Sequence, residues 1–299
     1  MAILTRREAL RLAAATGLVS VLGGPRVKAA RLARKEIALS PDYRDGVLAK
    51  GPVGYWRLGE DAGPTAFDET PNGYDGSYVG NPTFGMPGAI CDDPDTAVQF
   101  NGTDYVEIPD SADFSQPTSG AGLTVEVWLR PDRLQFPGET RDPYVHWLGK
   151  GVHGQQEWAL RFYSMNSTRP NRISAYIFNP NDPPPDLGAG AYFQDRLVVG
   201  QWMHVVACYQ PGDASDPPNA GVQIYRDGHL RQGPPSSGTL YRNPQGRWNI
   251  FPIHGSAPLR LATRDLGSFL IGALDEVAIY PRVLSQPEIE ENYLNGVCP

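Results

Sequence analysis

Cysteine is scarce in this chain, which has 3 cysteines in 299 residues and no cysteine or histidine spacing typical of a zinc site. Basic residues are outnumbered, at 26 against 33 acidic ones, and the net charge of −7 offers nucleic acid no cationic surface. The apolar stretch 12–22 is too short to span a bilayer. These features argue against a zinc protein, a nucleic-acid-binding protein and a membrane-spanning protein.

Catalytic motifs are missing as well. A retaining glycosidase needs two carboxylates a few ångströms apart on one face of its sheet. Glu126 has no such partner nearby in sequence, and the neighbours Asp275 and Glu276 would point to opposite faces of a strand. A serine hydrolase elbow, a phosphate-binding glycine loop and a metalloprotease helix are also absent from the sequence. We therefore predict a protein that is not an enzyme, although carboxylates on different strands could still meet in space.

Turn residues are abundant and divide the chain into short apolar stretches. The 33 glycines and 29 prolines cluster between runs rich in valine, isoleucine and aromatic residues. Side chains alternate between apolar and polar at 105–108, 123–129 and 204–208, and Asp227 with Gly228 is typical of a hairpin turn. The pattern predicts an all-β protein with two packed antiparallel sheets.

The segment 269–296 joins an alternating strand to a short C-terminal helix. Ser285 and Glu288 have the spacing of a capping box at the start of that helix. The apolar face of the helix is predicted to consist of Ile289, Tyr293 and Leu294. Within the strand, alternation directs one of two adjacent carboxylates inward, which makes Asp275 the first candidate for a metal ligand.

Four parts of the chain, in order, resemble the laminin-G-like domains of the concanavalin A-like lectin and glucanase superfamily. They are the segment 53–80, the pair 97–111 and 123–131, the pair 200–210 and 222–230, and the segment 269–296. The resemblance implies a concanavalin A-like jelly-roll sandwich of two antiparallel sheets with one short C-terminal helix, formed by a single domain at residues 38–299. It also implies a binding module more often than an enzyme.

Residues 1–37 differ in composition from the rest of the chain and carry much of its positive charge. Arg6 and Arg7 precede an apolar stretch and then small residues, which is the order of a twin-arginine export signal. The alternative is a surface helix or a disordered basic tail on a cytosolic protein. We expect export, and therefore a secreted or cell-surface protein.

The three cysteines leave at least one thiol unpaired. Cys208 lies in a predicted strand and is interpreted as a small buried hydrophobic residue. Cys91 and Cys298 could form a disulfide that ties down the C-terminus in an oxidising compartment, or they could be two unrelated thiols.

Calcium is the predicted cofactor. Asp68, Asn72 and Asp75 lie in a glycine-containing turn whose oxygens suit calcium, a hard ion with roughly six to eight oxygen ligands. The family resemblance implies that this turn approaches the last long strand around a structural ion, with Asp68 and Asp275 as side-chain ligands and a carbonyl near Gly76. The alternatives are Asx-turns at Asp68 and hydrogen bonds from backbone amides to Asp275.

The loop 236–258 is the predicted ligand site. It is long and rich enough in aromatic residues to be ordered, which favours a functional loop. A ring beside a fork-shaped cation and an amide can stack on a sugar. The residues predicted to bind the ligand are Tyr241, Arg247, Trp248 and Asn249. For each ring, burial in the core is the alternative, since large apolar side chains are usually buried.

The sequence thus predicts an exported, non-catalytic binding module for a glycan or another cell-surface ligand, with a structural calcium ion. A structural or adhesive protein of a cell or virion surface that binds protein ligands is the alternative. A glycoside hydrolase or polysaccharide lyase is a third. The sequence does not identify the sugar, because loop geometry decides specificity.

Overall fold

The alternating segments form the strands of two antiparallel β-sheets. The computed structural model describes residues 42–115, 122–136, 144–152, 154–179, 188–210, 221–231, 240–241 and 252–298. At residues 188–189 and 240–241 it describes the backbone only. The predicted boundary between residues 37 and 38 lies outside these ranges.

Strands predominate over helices in the described part of the chain. The strands are β1 (Gly54–Trp56), β2 (Thr65–Ala66), β3 (Gly76–Val79), β4 (Thr83–Pro87), β5 (Thr96–Asn101), β6 (Tyr105–Ile108), β7 (Leu123–Pro131), β8 (Tyr144–Val152), β9 (Gln155–Tyr163), β10 (Ile173–Phe178), β11 (Gly188–Phe193), β12 (Met203–Gln210), β13 (Gly221–Arg226), β14 (His229–Leu230), β15 (Leu240–Tyr241), β16 (Leu259–Leu261) and β17 (Ile271–Tyr280). The N-terminal helix is Tyr43–Ala49 and the C-terminal helix is Gln286–Gly296.

The two sheets are built from these described strands. Sheet A has the order β14-β13-β12-β7-β17-β5-β4, with β1 also paired to β17. Sheet B has the order β15-β11-β10-β9-β8-β16-β6-β3-β2. The predicted hairpin turn joins β13 to β14, where Asp227 has φ 52° and Gly228 has φ 75°. The predicted jelly-roll sandwich of two antiparallel sheets is confirmed.

The main core lies between the two sheets. Val125 and Val127 of β7 enter this core from sheet A, and Trp158 and Leu160 of β9 enter it from sheet B. Because side chains alternate along a strand, the residues between them point to the outer face of each sheet. Each sheet therefore has an inner face that forms the core and an outer face that carries a separate set of side chains.

Both described α-helices lie on the outer face of sheet A, whereas the short 3-10 helix Ala112–Phe114 places Phe114 in the main core. Tyr43 and Val47 of the N-terminal helix and Ile289 of the C-terminal helix form a second hydrophobic cluster there, together with Trp128 of β7. The N-terminal helix thus packs on the sandwich through Tyr43 and Val47. Neither described helix has the length and apolar character needed to cross a membrane.

A β-bulge in β17 changes the predicted position of two carboxylates. β17 pairs with β7 at Asp275 opposite Trp128 and again at Ala278 opposite Glu126, and the register shifts between these pairs. Glu276, inside the bulge, has φ 55°. Both Asp275 and Glu276 are buried, whereas alternation predicted one inward carboxylate. The reason is that the extra residue of a bulge interrupts the alternation of side chains between the two faces of the sheet.

The C-terminal helix confirms its predicted cap and, through Ile289 and Tyr293, most of its predicted apolar face. Glu288 accepts a hydrogen bond from the backbone N–H of Ser285 at 2.8 Å in a capping box. Ile289 is buried, whereas Leu294 is 59% exposed. Asn292 occupies a buried position instead, because the sheet beneath it carries a buried carboxylate that needs hydrogen-bond donors.

Cys91 and Cys298 form a disulfide, with Cα atoms 5.3 Å apart and a sequence separation of 207. The backbone N–H of Cys91 also donates to the carbonyl of Gly296 at 2.9 Å. Of the two alternatives for these thiols, pairing is the one found. Cys208 is a buried free thiol, as predicted.

Candidate functional site

The outer face of sheet B, which points away from the core, carries a row of residues in register. Directly paired residues of antiparallel strands lie on the same face of the sheet. By backbone register, the row consists of Glu107, Arg260, Gly149, Ala159, Tyr176, Gly190 and Tyr241. The neighbours of Ala159 along β9, Trp158 and Leu160, belong to the core, so the row lies on the outer face.

Arg161 and three aromatic rings form the centre of this face. The guanidinium carbon of Arg161 lies 4.5 Å from the ring centroid of Tyr176, 4.8 Å from that of Tyr144 and 5.6 Å from that of Phe178. These are cation–π distances. Gly190 makes room for Tyr176, because a Cβ atom at residue 190 would lie 2.5 Å from that ring. Phe178 is buried, so the sheet presents the rings of Tyr144 and Tyr176 beside this cation.

Arg172 extends the same arrangement along the face. Its guanidinium carbon lies 3.7 Å from the ring centroid of Tyr192 and 5.7 Å from that of Tyr163. The rings of Tyr163 and Tyr144 are 5.3 Å apart, which connects the two arginine clusters. Tyr144 is 37% exposed, so its side chain is accessible to a ligand.

His146 connects Arg161 to an acidic residue. Nε of Arg161 donates to Nε2 of His146 at 3.1 Å, and Nδ1 of His146 lies 3.4 Å from Oδ2 of Asp265. Because Nε2 accepts, the proton of the neutral ring is assigned to Nδ1. Burial lowers the pKa of His146 to about 4 despite the hydrogen bond to Asp265, and the charges of Arg264 and Arg161 act in the same direction as burial. His146 is therefore neutral at pH 7 and orients Arg161.

The segment that follows β16 folds back over the outer face of sheet B. Nη1 of Arg260 donates to the backbone carbonyl of Arg264 at 2.8 Å, and Nε of Arg260 donates to Glu107 at 2.9 Å. A Cβ atom at Gly149 would lie 3.1 Å from Cγ of Arg264, so the side chain of Arg264 crosses the sheet above this glycine. Nη2 of Arg264 donates to Asp265 at 2.6 Å. An arginine and an imidazole thus share one carboxylate.

Most of the residues predicted to bind the ligand lie outside the part of the chain that the structure describes. Arg247, Trp248 and Asn249 lie outside the described residues. The backbone of Tyr241 is described, and it lies in the edge strand β15 opposite Gly190. Tyr241 therefore belongs to the row on the outer face of sheet B by register, and its role in binding stays a prediction.

Sequence reasoning did not single out the outer face of sheet B. A signal was available, because Arg161 and Tyr163 alternate along β9 with the core residues Leu160 and Phe162. That alternation places a cation and a ring on one face. The contact with Asp265 has no such signal, since Asp265 is distant in sequence and reaches the sheet through an irregular segment.

Asp68 uses both carboxylate oxygens to organise the turn that contains it. Oδ1 accepts from the backbone N–H groups of Tyr55 and Thr70, both at 2.9 Å. Oδ2 accepts from the N–H of Tyr74 and the hydroxyl of Thr70, both at 2.8 Å. Gly76 lies in the β2–β3 ladder. With four donors already in place, Asp68 organises the turn as in the alternative considered for it, and its role as a calcium ligand stays a prediction.

Asp275, the other predicted ligand, keeps one oxygen without a partner. Its Oδ2 accepts from the N–H of Ala89 at 2.7 Å, whereas its Oδ1 is buried and has no hydrogen-bond partner among the described residues. The neighbouring Glu276 is paired with Arg57, whose Nε and Nη2 donate to it at 2.9 and 2.8 Å. The described part of the chain contains no group of three or more acidic, histidine or cysteine side chains arranged to hold a metal ion. Calcium therefore stays a prediction.

Ser115, His254 and Asp110 form a chain that resembles the polar relay of a hydrolase. Oγ of Ser115 lies 2.8 Å from Nδ1 of His254, and Nε2 of His254 lies 3.5 Å from Oδ2 of Asp110. Asp110 also pairs with Nζ of the buried Lys150 at 2.8 Å. The Ser115 side chain is completely buried, so its hydroxyl cannot reach a substrate. This chain of residues supports the fold and supplies no nucleophile.

A family model, Laminin_G_3, described as the concanavalin A-like lectin/glucanases superfamily, matches residues 100–290. This match covers more than half of the chain and includes all the strands that form the outer-face row. No curated protein sequence matches the chain.

Solved structures of botulinum neurotoxin domains share the fold. The receptor-binding domain of the C/D mosaic serotype has a TM-score of 0.54 at 10% identity over 81% of this chain and 51% of that structure. The binding domain of neurotoxin DC, in complex with rat synaptotagmin II, has a TM-score of 0.53 at 10% identity over 83% and 52%. A third structure is that of botulinum neurotoxin type C, whose cell entry is described as dependent on interaction with two ganglioside molecules. It has a TM-score of 0.53 at 10% identity over 85% of this chain and 53% of that structure. This chain thus spans about half the length of these structures, and the likeness concerns the fold.

Proposed function

This chain belongs to the concanavalin A-like lectin/glucanases superfamily, and we propose that it is an exported, non-catalytic module that binds carbohydrate. The observation that carries the proposal is the outer face of sheet B, where the exposed ring of Tyr144 and the half-buried ring of Tyr176 lie against Arg161. A sugar stacks its C–H face on an aromatic ring and forms hydrogen bonds with polar groups beside the ring. The outer face of sheet B offers both kinds of contact.

Proteins with this fold bind more than one kind of ligand. Among the neurotoxin structures above, one is described with gangliosides and one with the protein synaptotagmin II. A protein ligand would favour a dry apolar centre. Tyr144, the exposed ring of the outer face, is instead amphipathic and lies against Arg161 and His146. This mixture of rings and charged donors favours a sugar.

Export is supported by two features in different parts of the chain. Disulfides persist in oxidising compartments outside the cytoplasm, and Cys91 is bonded to Cys298. Residues 1–37 have the order of a twin-arginine signal. Because one feature is a bond within the folded domain and the other is a composition at the N-terminus, they support export independently.

A glycan array tests the proposal directly. We expect the wild-type protein to bind at least one glycan, and we expect Tyr144→Ala to weaken that binding about tenfold through the loss of a stacking ring. Phe67→Ala is the matched control, because Phe67 is 55% exposed and follows the edge strand β2, which β16, β6 and β3 separate from Tyr144 on β8. Trp248→Ala tests the predicted loop in the same assay.

Each outcome of the array assigns the function differently. Loss of binding in Trp248→Ala, with none in Tyr144→Ala, would move the site from sheet B to the loop. Capture of a protein ligand, with no glycan bound, would replace the proposal with the adhesive alternative. Release of sugar products from a polysaccharide panel would contradict the non-catalytic part of the proposal.

A further inference from the structure

Two consecutive valines are exposed in the connection between β11 and β12. Val198 is 44% exposed and Val199 is 53% exposed. Turns usually hold glycine, proline or short polar residues, whereas β-branched side chains are more frequent in strands. A single exposed apolar residue is ordinary on a protein surface, but two adjacent ones at a turn place a contiguous apolar area in water. This turn is therefore a candidate contact surface.

The backbone holds both valines in their exposed positions. Leu197, directly before them, is buried in the main core. The N–H of Gln201 donates to the carbonyl of Val198 at 3.3 Å and closes the turn, and the N–H of Gly200 donates to the carbonyl of Pro131 at 2.9 Å. Gly200 has φ 78°, a left-handed conformation that favours glycine. The turn is thus attached to the core before the valines and to the end of β7 after them.

Two arginines beside the turn carry charges that no acidic side chain neutralises. Arg196 lies two residues before Val198, and Arg133 lies two residues after Pro131, whose carbonyl accepts from Gly200. Both arginines are exposed, and neither has an ion pair among the described residues. Their guanidinium groups are therefore accessible to an external anion.

The acidic residues that precede these two arginines in the chain are already paired. Asp132 accepts from Arg130 at 3.0 Å, and Asp195 accepts from Arg231 at 2.6 Å. The surface around the turn is thus locally positive, although the chain as a whole has a net charge of −7. A partner of this surface should be anionic.

A tryptophan lies beside the turn and contacts a cation. The guanidinium carbon of Arg130 lies 5.2 Å from the ring centroid of Trp202. Trp202 is half-buried and packs against the hydrophobic cluster on the outer face of sheet A. Tryptophan and arginine both suit the boundary between lipid and water, because each combines an apolar body with a polar group. The turn therefore has an apolar tip with cationic and amphipathic residues beside it.

We propose that the turn 198–201 docks on the surface of an anionic lipid bilayer, with Val198 and Val199 at the headgroup–acyl boundary and with Arg133 and Arg196 on lipid phosphates. In a bilayer the anionic groups lie outside the apolar chains. The apolar tip and the cationic flanks of the turn match that order. This inference is independent of the proposed carbohydrate function and adds a second contact surface.

The size of the apolar tip favours a lipid surface over a protein partner. A stable protein interface buries about 800 Å² on each partner around a well-packed centre, and two valines are too few to form one. A bilayer needs no such centre, because a few apolar side chains at the headgroup boundary add to the attraction between cations and anionic lipids. Binding should be weak, reversible and dependent on anionic lipid.

Co-sedimentation with vesicles tests the docking. We expect the wild-type protein to bind vesicles of equal parts phosphatidylglycerol and phosphatidylcholine at low salt, and to bind pure phosphatidylcholine vesicles about tenfold more weakly. Added salt should weaken the binding, because it screens exposed charges. These vesicles carry no glycan, so the proposed carbohydrate function stands or fails independently of the result.

Substitution of the valines locates the apolar contact. Val198→Ser combined with Val199→Ser should weaken binding to the anionic vesicles about tenfold, because it removes the apolar tip and leaves both arginines in place. Val79→Ser is the matched control, since Val79 is an exposed valine on β3 of sheet B. Val199→Phe should strengthen binding through its larger apolar side chain, and it decides the question if circular dichroism shows that the serine variant is unfolded.

Substitution of the arginines locates the charge contact. Arg133→Gln and Arg196→Gln should each weaken binding to the anionic vesicles about fivefold, which is the effect of one cation near an anionic surface. Arg44→Gln is the matched control, because it removes an arginine charge from the N-terminal helix. The arginine variants should also lose part of the salt dependence of the wild type.

Three outcomes would overturn the docking. One is the absence of binding to phosphatidylglycerol vesicles at low salt. Another is unchanged binding in the folded serine variant together with no gain in Val199→Phe. The third is failure of the wild type to bind vesicles while it forms dimers that the serine variant does not form, which would assign the turn to a second copy of this chain.

Discussion

Nδ2 of Asn292, on the C-terminal helix, lies 3.0 and 2.9 Å from the two carboxylate oxygens of Glu126, which is completely buried on β7. His204 and Tyr280 contact the same carboxylate, at 2.8 and 2.7 Å. Burial raises the pKa of Glu126, but the hydrogen bonds from His204, Tyr280 and Asn292 outweigh burial and lower the pKa below its ordinary value. Glu126 is therefore a structural anion that attaches the C-terminal helix to sheet A.

Asn292→Leu should destabilise the protein by about 2 kcal/mol, because it removes the amide donor from a buried charged acceptor. The substitution keeps the size of the side chain, so little of the loss comes from an empty volume. Leu294→Asn on the same helix is the control, since Leu294 is 59% exposed and its replacement should change the free energy of unfolding little. Urea unfolding of both variants measures the difference, and equal stability would mean that Asn292 contributes nothing to the attachment.

Local sequence rules were sufficient wherever the structure depends on neighbours in the chain. The capping box of Ser285 and Glu288 and the hairpin turn at Asp227 and Gly228 both follow from spacing and from backbone preferences. The alternation of the strands was likewise enough to predict two antiparallel sheets. These features need no knowledge of which strands pair.

Features that depend on distant contacts were not predictable in the same way. The buried position of Asn292 depends on Glu126, which is on another element. The bulge at Glu276 depends on the register between β17 and β7. The position of the Arg264 side chain depends on Gly149, which has no side chain to reveal its role in the sequence. Periodicity within one segment carries no information about such partners.

The disulfide should contribute about 2 to 5 kcal/mol to stability, because it links residues with a sequence separation of 207 and constrains the unfolded chain. We expect the double variant Cys91→Ser with Cys298→Ser to unfold at lower urea than the oxidised protein. A reducing agent should destabilise the wild type and leave the double variant unchanged, because the remaining Cys208 is a free thiol. If a reducing agent does not change the urea unfolding of the wild type, the disulfide does not contribute to its stability.

Export should depend on the arginine pair. Replacement of Arg6 and Arg7 by lysine should retain the protein in the cytoplasm, because twin-arginine transport recognises that pair. Arg11→Lys is the control, since Arg11 lies outside the pair. Fractionation of a host with this transport route measures the result. Undiminished export of the double variant would refute the twin-arginine interpretation.

The calcium prediction requires a response to chelator. If calcium binds the folded protein, removing it should lower the melting temperature, because a ligand that binds only the native state stabilises it. Asp275→Asn should remove most of that response. A melting curve that chelator does not change would assign Asp275 to its bond with the N–H of Ala89 alone.

Asp68→Asn distinguishes a structural role of Asp68 in its turn from a role in binding calcium. Asp68 accepts from the backbone of Tyr55, Thr70 and Tyr74, so its substitution should destabilise the protein with or without chelator. If Asp68→Asn is less stable than the wild type without chelator but equally stable when chelator is present, Asp68 would instead be identified as a calcium ligand. Differential scanning calorimetry of wild type and both variants measures these differences.

His146 should make stability depend on pH. The pKa of His146 is lowered from 6.5 to about 4 in the folded protein, chiefly by burial. Between these values the unfolded chain binds a proton that the folded protein does not, so stability should fall as the pH drops from 6.5 towards 4. At roughly 1.4 kcal/mol per pKa unit, the loss is about 3 kcal/mol. The groups that face His146 are Arg161, Asp265, Arg264 and Tyr144.

His146→Gln should remove most of this pH dependence, because the glutamine amide can donate to Asp265 and accept from Arg161 as the neutral imidazole does, but it does not titrate. His229→Gln is the matched control, since His229 is exposed on β14 of sheet A, whereas His146 lies on sheet B. Urea unfolding at several pH values between 4 and 7 measures both profiles. If the wild type and His146→Gln lose stability in parallel, His146 is not the group that titrates.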